Sequence, residues 1–344
     1  MATVKRIIIA IGVILFFTQS PLAQTKRPIL ERLLDNQRVI NIVDDFLIFW
    51  DRAKNRTPSA QRRLWKRMVE NKHREYFDRA VYRTTDPDIR RAMLEEFLIR
   101  VPGHVEAIRR FNESIEDVAT SPLVETVLEF KRNFRDYRQQ GTLYIGLSMF
   151  RFDGAVRPVQ NEDGVPDTLC LGAEVLAGYT REQIRIAISH EFFHLYHFGF
   201  LFEDADEMSP SEFWTPHIPL MIEGLAAAGV QLVFPYETPE MYLHFDKNEL
   251  AAQQQDLAEN AGRFLDLIMK GAPPEEYQQW FTQTHSGTAP SRGGYLLGFE
   301  VAKRLMAIYE MDDLILMTPA ELRELAEEQL AAMANERILL MDMK

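Results

Sequence analysis

Two histidines and a glutamate are the residues of this chain best placed to do chemistry. They stand in the run His190-Glu191-Phe192-Phe193-His194. On an α-helix, residues four apart lie on one face, one turn above each other. Two imidazoles so placed can share one metal ion. The glutamate beside the first of them sits at the edge of the same face, where it can accept a proton from a metal-activated water. The pattern is short and also arises by chance. Its meaning depends on whether the flanking residues form a helix and whether the chain supplies a third ligand.

The helix is legible. Thr180, with Gln183 three residues later, is a capping box. Ile184, Ala187, Ile188, Glu191, Leu195 and Phe198 follow at helical spacing, and Gly199 offers a stop. A third histidine at the metzincin spacing, H-E-x-x-H-x-x-G-x-x-H, is missing: His197 stands where the glycine belongs and Phe200 where the last histidine belongs. His197 itself lies about 10 Å along the helix from His190 and suits a supporting polar role better than direct ligation. Glu223 is the best third ligand. It comes 29 residues after His194, a lone acid among Met221, Ile222, Leu225 and Ala226. A carboxylate in such company is costly unless it is paired or bound to a metal. A glutamate on the solvent face of an amphipathic helix is the bland alternative, and Asp204 and Asp206 in an acidic loop are the fallback ligands. Two histidines from one helix and a glutamate from a following helix make the gluzincin arrangement. The expected centre is one Zn²⁺ per chain on His190, His194 and Glu223, with Glu191 as general base.

The elements that must hold these residues differ along the chain. Residues 28–139 read as helix after helix. Val39, Ile40, Ile42, Val43, Phe46, Leu47 and Trp50 form an apolar stripe, and Thr57-Pro58 and Asp86-Pro87 are cap-then-proline starts. Near Gln140-Gly141 the texture changes. Residues 142–176 alternate β-rich runs with the turn cluster Asn161-Glu162-Asp163-Gly164, which predicts a small antiparallel sheet ahead of the metal helix. Helices resume after it, with a proline at Pro219, Thr238-Pro239 and a second capping box at Thr318 to Glu321. The fold class is α+β, predominantly helical. The expected division is a signal peptide over 1–23, a helical subdomain over 24–139 and a metallopeptidase domain over 140–344.

The formal net charge is −12 over 344 residues, which excludes a nucleic-acid binder that works by displacing counterions. The Arg- and Lys-rich stretch 62–74 reads as a solvated face laced with ion pairs. Cys170 is the sole cysteine. It cannot form an intramolecular disulfide, and its apolar neighbours mark it as a small buried hydrophobe. Lys5 and Arg6, the apolar run 7–17 and a small residue at Ala23 have the form of an export signal. The run is shorter than the about 20 residues that span a bilayer. The protein is therefore expected to be exported, periplasmic or secreted, with no stable membrane anchor after cleavage.

The order His190-Glu191-Phe192-Phe193-His194, then Glu223-Gly224-Leu225-Ala226, then Gly294-Tyr295-Leu296-Leu297-Gly298 resembles the predicted zinc-dependent protease family called domain of unknown function 2268. Leu143-Tyr144-Ile145-Gly146-Leu147 and Leu171-Gly172-Ala173-Glu174 look like that family's segments before its metal helix, and the resemblance covers residues 140–310. It implies a zincin-like catalytic core and a gluzincin-like peptidase acting on a peptide or protein. Similar sequences in bacterial surface-motility proteins have lost the zinc motif, whereas this chain keeps all four residues. The oxyanion formed on hydrolysis needs a donor besides the metal. Tyr295 is the first choice, with His285 and Arg292 on the preceding loop as alternates. Strand 143–147 offers an edge to an extended peptide. His217 and His244 read as ordinary polar residues, and Ser286 and Ser291 lack a nucleophile-elbow context. Two competing readings are a noncatalytic envelope or interaction protein that keeps the fold, and a zinc hydrolase of non-peptide amides. Intact Glu191 speaks against the first, since a structural zinc site needs no base.

Overall fold

A computed structural model of the chain describes residues 31–32, 38–138, 141–160, 166–202, 214–282 and 290–342. The expected signal segment, the expected boundary at 139/140, the turn cluster 161–164, Asp204, Asp206 and His285 lie outside them.

The helical starts follow local chemistry. Thr57, Asp86 and Ser121 each precede a proline and accept backbone N–H groups of the first turn. Each such cap contributes about 1 kcal/mol. They open α2 (Pro58–Trp65), α3 (Pro87–Arg100) and α5 (Pro122–Asn133), and α1 (Val43–Ala53) and α4 (Val105–Glu116) complete the N-terminal layer. Phe46, Phe49, Trp65, Phe77 and Phe97 pack edge-on and tilted at its centre.

The stripe from Val39 to Trp50 is not one helix. Val39–Asn41 is a strand, β1, and the helix begins only at Val43. The β-branched Val39 and Ile40 suit a pleated ladder. Asn41 then ends the strand by accepting the Val43 N–H at 3.0 Å. Tertiary pairing, invisible in the local spacing, decides this segment.

The small sheet ahead of the metal helix is present, but its pairing is mixed. Its order is β1-β2-β4-β3, with β2 at Leu143–Gly146, β3 at Gly154–Arg157 and β4 at Thr168–Gly172. β1 pairs with β2 and β2 with β4 in parallel; only β3 and β4 are antiparallel. All residues of β2 and β4 are buried, as parallel strands covered on both faces must be. One expectation fails here. β2 lies between β1 and β4, so it has no edge to offer a peptide. β3 is the edge strand on that side.

Helix α6 (Arg181–Leu201) follows the sheet. Its capping box is formed: Gln183 N–H donates to Thr180 Oγ1 at 3.2 Å, and Thr180 N–H donates to Gln183 Oε1 at 2.9 Å. The helix runs through Gly199 to Leu201. One face packs Phe192, Phe193 and Tyr196 into a nest of Phe130, Phe134 and Tyr137 from and just beyond α5. Each fully buried phenylalanine contributes roughly 1.5–3 kcal/mol, which fixes the rotation of α6. His190 and His194 must then face the opposite way. The later long helices are α7 (His217–Val233), α8 (Lys247–Gln255), α9 (Leu257–Met269), α10 (Gly293–Leu305) and α11 (Pro319–Asp342). No described helix is long and apolar enough to cross a membrane.

Candidate metal centre

His190 and His194 project from one face of α6, their rings 4.5 Å apart and perpendicular. α7 brings Glu223 against them. Glu223 Oε2 lies 3.0 Å from His190 Nε2 and 3.4 Å from His194 Nε2. Ligands held at about 2.0–2.1 Å in a tetrahedron stand roughly 3.3 Å from one another, so both separations match tetrahedral edges. Glu191 also brings a carboxylate oxygen within 4.8 Å of the imidazole nitrogens. The two acids differ in contact. Glu223 touches both Nε2 atoms, whereas Glu191 acts on the histidines by charge. His190, Glu191 and His194 thus form a cluster able to chelate a metal. Two imidazoles and a carboxylate suit Zn²⁺. At His194 the remaining nitrogen, Nδ1, is buried without a hydrogen-bond partner. Stacking on Phe198 at 5.6 Å and 15° orients that ring instead.

The approach of α7 is set by two glycines. A Cβ on Gly224 would lie 2.2 Å from the Gly298 carbonyl oxygen, and one on Gly298 would lie 2.3 Å from the Leu220 carbonyl oxygen. α7 and α10 therefore touch backbone to backbone. Glu223 sits beside the crossing point and Tyr295 lies one turn from it, so both reach the same cleft. A third close approach concerns Glu191. A Cβ on Gly154 would fall 2.4 Å from Glu191 Cγ; the bare backbone of β3 leaves room for the acid beneath the strand.

The electrostatics follow from burial and pairing. Burial alone would raise Glu223, but the charge of His194 and hydrogen bonds from both imidazoles outweigh it and hold the carboxyl well below its usual range. Burial would likewise lower His190; its hydrogen bond to Glu223, with the charges of Glu223, Glu191 and Asp153, raises it instead. Glu191 is raised by burial first, with Asp153 and Glu223 adding to the effect and the two histidines opposing it. Tyr295 is raised by burial and then by Glu223, which keeps its phenol protonated as a donor.

A cleft of about 870 Å³ unites these groups: His190, Glu191, His194, Glu223 and Tyr295 all line it. Arg292 lines it too, but its guanidinium donates to the carbonyls of Leu243 and His244 at 2.8 and 2.9 Å. Its role is to fix that loop. His217 is buried between Thr215 Oγ1 and the Pro319 carbonyl. His197 is fully buried, and its pKa is pushed down to about 3 by burial and by His194. Sequence reasoning missed Asp153 and set His244 aside as an ordinary polar residue, yet both line the cleft. Asp153 accepts a hydrogen bond from Tyr179 at 2.9 Å and faces the histidines. His244 stacks on Tyr179 in the cleft wall. Both sit where loops meet, and no local spacing marks such positions.

No curated protein and no solved structure matches the chain. A family model does, over residues 147–324, more than half the chain and the whole span from the end of the central strand to the last long helix. That family is described as Predicted Zn-dependent protease (DUF2268). With the chelating His190-Glu191-x-x-His194 cluster inside the matched span, the chain belongs to this family and is assigned as a zinc metallopeptidase.

Proposed function

We propose that the protein is an exported peptidase that binds one Zn²⁺ through His190, His194 and Glu223 and hydrolyses peptide bonds with Glu191 as general base. The observation that carries this reading is the contact of one Glu223 oxygen with both Nε2 atoms, beside a second acid that makes no such contact. Zinc, when bound, lowers the pKa of a water and polarises a substrate carbonyl.

The chain's own groups supply the remaining steps. The Glu191 carboxyl, whose pKa burial raises above the ordinary glutamate value, is suited to take a proton from the attacking water and return it to the leaving amine. Tyr295 donates its phenolic hydrogen to the developing oxyanion. β3 is the edge strand beside Glu191, and an extended peptide that adds there places its backbone along the cleft. Export rests on the signal-like residues 1–23, and N-terminal sequencing of protein recovered outside the cytoplasm tests it.

The central test is metal analysis with activity. Wild-type protein should carry one zinc per chain and cleave a mixed peptide library. Glu223→Ala should lose the metal. Glu191→Gln should keep it and lose about 100-fold or more in kcat. Full zinc in Glu223→Ala removes that ligand, and undiminished cleavage by Glu191→Gln removes the mechanism.

A further inference from the structure

One whole wall of the cleft, residues 150–158, is a continuous stretch of chain that runs from a turn into β3. The turn is unusual. Met149 and Phe150 both have positive φ, 55° and 60°, and neither is glycine. Two successive side-chain-bearing residues in the left-handed region persist only where the surroundings impose that conformation.

The inner constraint is Glu174, 2% exposed, in the helical turn Ala173–Leu176 after β4. Its Oε1 accepts the Ser148 hydroxyl at 2.9 Å and the Phe150 N–H at 2.8 Å. Ser148 Oγ in turn accepts the Arg151 N–H at 3.2 Å. Glu174 Oε2 is buried with no partner. A carboxylate half-satisfied in this way is a poor choice for packing alone. The outer constraint comes from the N-terminal helices. The Arg100 guanidinium lies 3.9 Å over the Phe150 ring, and His104 meets the same ring edge-on at 4.8 Å. The Asp153 carbonyl at the end of the turn is tied to β4 by the Gly172 N–H at 2.7 Å.

We infer that Glu174 is a positioning residue: by holding the strained turn at Met149 and Phe150 it sets Asp153 and the edge strand β3 against the metal centre, and so governs peptide binding without touching peptide or metal. Its carboxylate works by accepting two donors at one oxygen. A glutamine can do the same; a leucine of similar bulk cannot, and would leave the buried Ser148 hydroxyl hydrogen and the half-buried Phe150 N–H without their acceptor.

The test compares zinc-loaded full-length wild type, Glu174→Gln, Glu174→Leu and Ser148→Ala, which removes one of the two bonds to Glu174 and the acceptor of the Arg151 N–H but leaves Glu174 on the Phe150 N–H. In Glu174→Leu, amide hydrogen exchange over residues 150–157 should quicken by about 10-fold or more, while exchange in α6 and zinc content stay as in wild type. Ser148→Ala should fall between, and Glu174→Gln should match wild type. On a cleaved peptide, Glu174→Leu should raise KM about 10-fold with kcat within about 3-fold. Unchanged exchange over 150–157 in both Glu174→Leu and Ser148→Ala overturns the inference. So does equal loosening of α6, which marks a general packing role. The kinetic arm rests on the peptidase reading; if wild type cleaves no peptide that reading fails, and the exchange arm still decides the role of Glu174.

Discussion

The two walls of the cleft are built in opposite ways. The helical wall carries His190, Glu191, His194, Glu223 and Tyr295 on α6, α7 and α10, all on regular backbone, and the helices are set by an aromatic nest and a glycine crossing. The other wall is made of turns and the edge strand β3. Every described non-glycine residue with positive φ (Arg83, Met149, Phe150, His244 and Arg292) lines the cleft or adjoins a residue that does. These conformations cost about 1–3 kcal/mol each and are held by side chains that grip backbone, as Glu174 grips Phe150 and Arg292 grips Leu243 and His244. The comparison teaches a division of labour. Groups that would hold a metal or move a proton stand on stiff elements, while the surface that would meet a substrate is shaped by imposed strain.

The sharpest way to break this division is to part the helices. Gly298→Ala drives a methyl into the Leu220 carbonyl and should destabilise the fold by about 1–3 kcal/mol. It should also weaken zinc binding, because Glu223 moves with α7. Calorimetric Tm and a zinc titration read both, and normal zinc affinity would show that the crossing does not position Glu223. Tyr295→Phe should come next, lowering kcat by about 100-fold with Tm and zinc content unchanged; a change confined to KM would reassign the phenol to substrate binding.

The pH dependence separates the ligands further. His190 is raised above 6.5, and its proton competes with the metal. Zinc affinity should therefore be full above that raised value and fall as pH drops through it. Glu223, held below its usual range, stays ionised across the interval and does not contribute to the fall. A chelator competition run from about pH 8 to about pH 5 checks this, and a flat profile would take His190 out of the ligand set. The smallest effect belongs to Gly199, an exposed helical glycine whose added Cβ would meet nothing within 4 Å. Gly199→Ala should raise stability by roughly 0.5–1 kcal/mol and leave zinc binding and catalysis alone, the reverse of Gly298→Ala.

The chemistry was legible where it depends on neighbours along one helix. His190, Glu191 and His194 fall within five consecutive residues, and the Thr180 cap with its apolar followers announces the helix that aligns them. Glu223 stood out because a lone acid among Met221, Ile222 and Leu225 has few other reasons to be there. The sheet was less legible. Short strands such as Val39–Asn41 give no periodicity that separates them from a helix start, and parallel pairing joins residues about a hundred positions apart.

Local sequence was enough to set the His190 and His194 face, the acid Glu191 beside it, the helix caps and the predominantly helical class, because each follows from interactions within one or two turns of chain. Tertiary structure alone decided the rest. It placed β2 inside the sheet and β3 at its edge, brought Gly154 onto Glu191 and Gly224 onto Gly298, and drew Asp153, His244 and the strained turn at Phe150 into one cleft. Those outcomes depend on contacts between distant segments, whose free energy is set by packing rather than by local spacing.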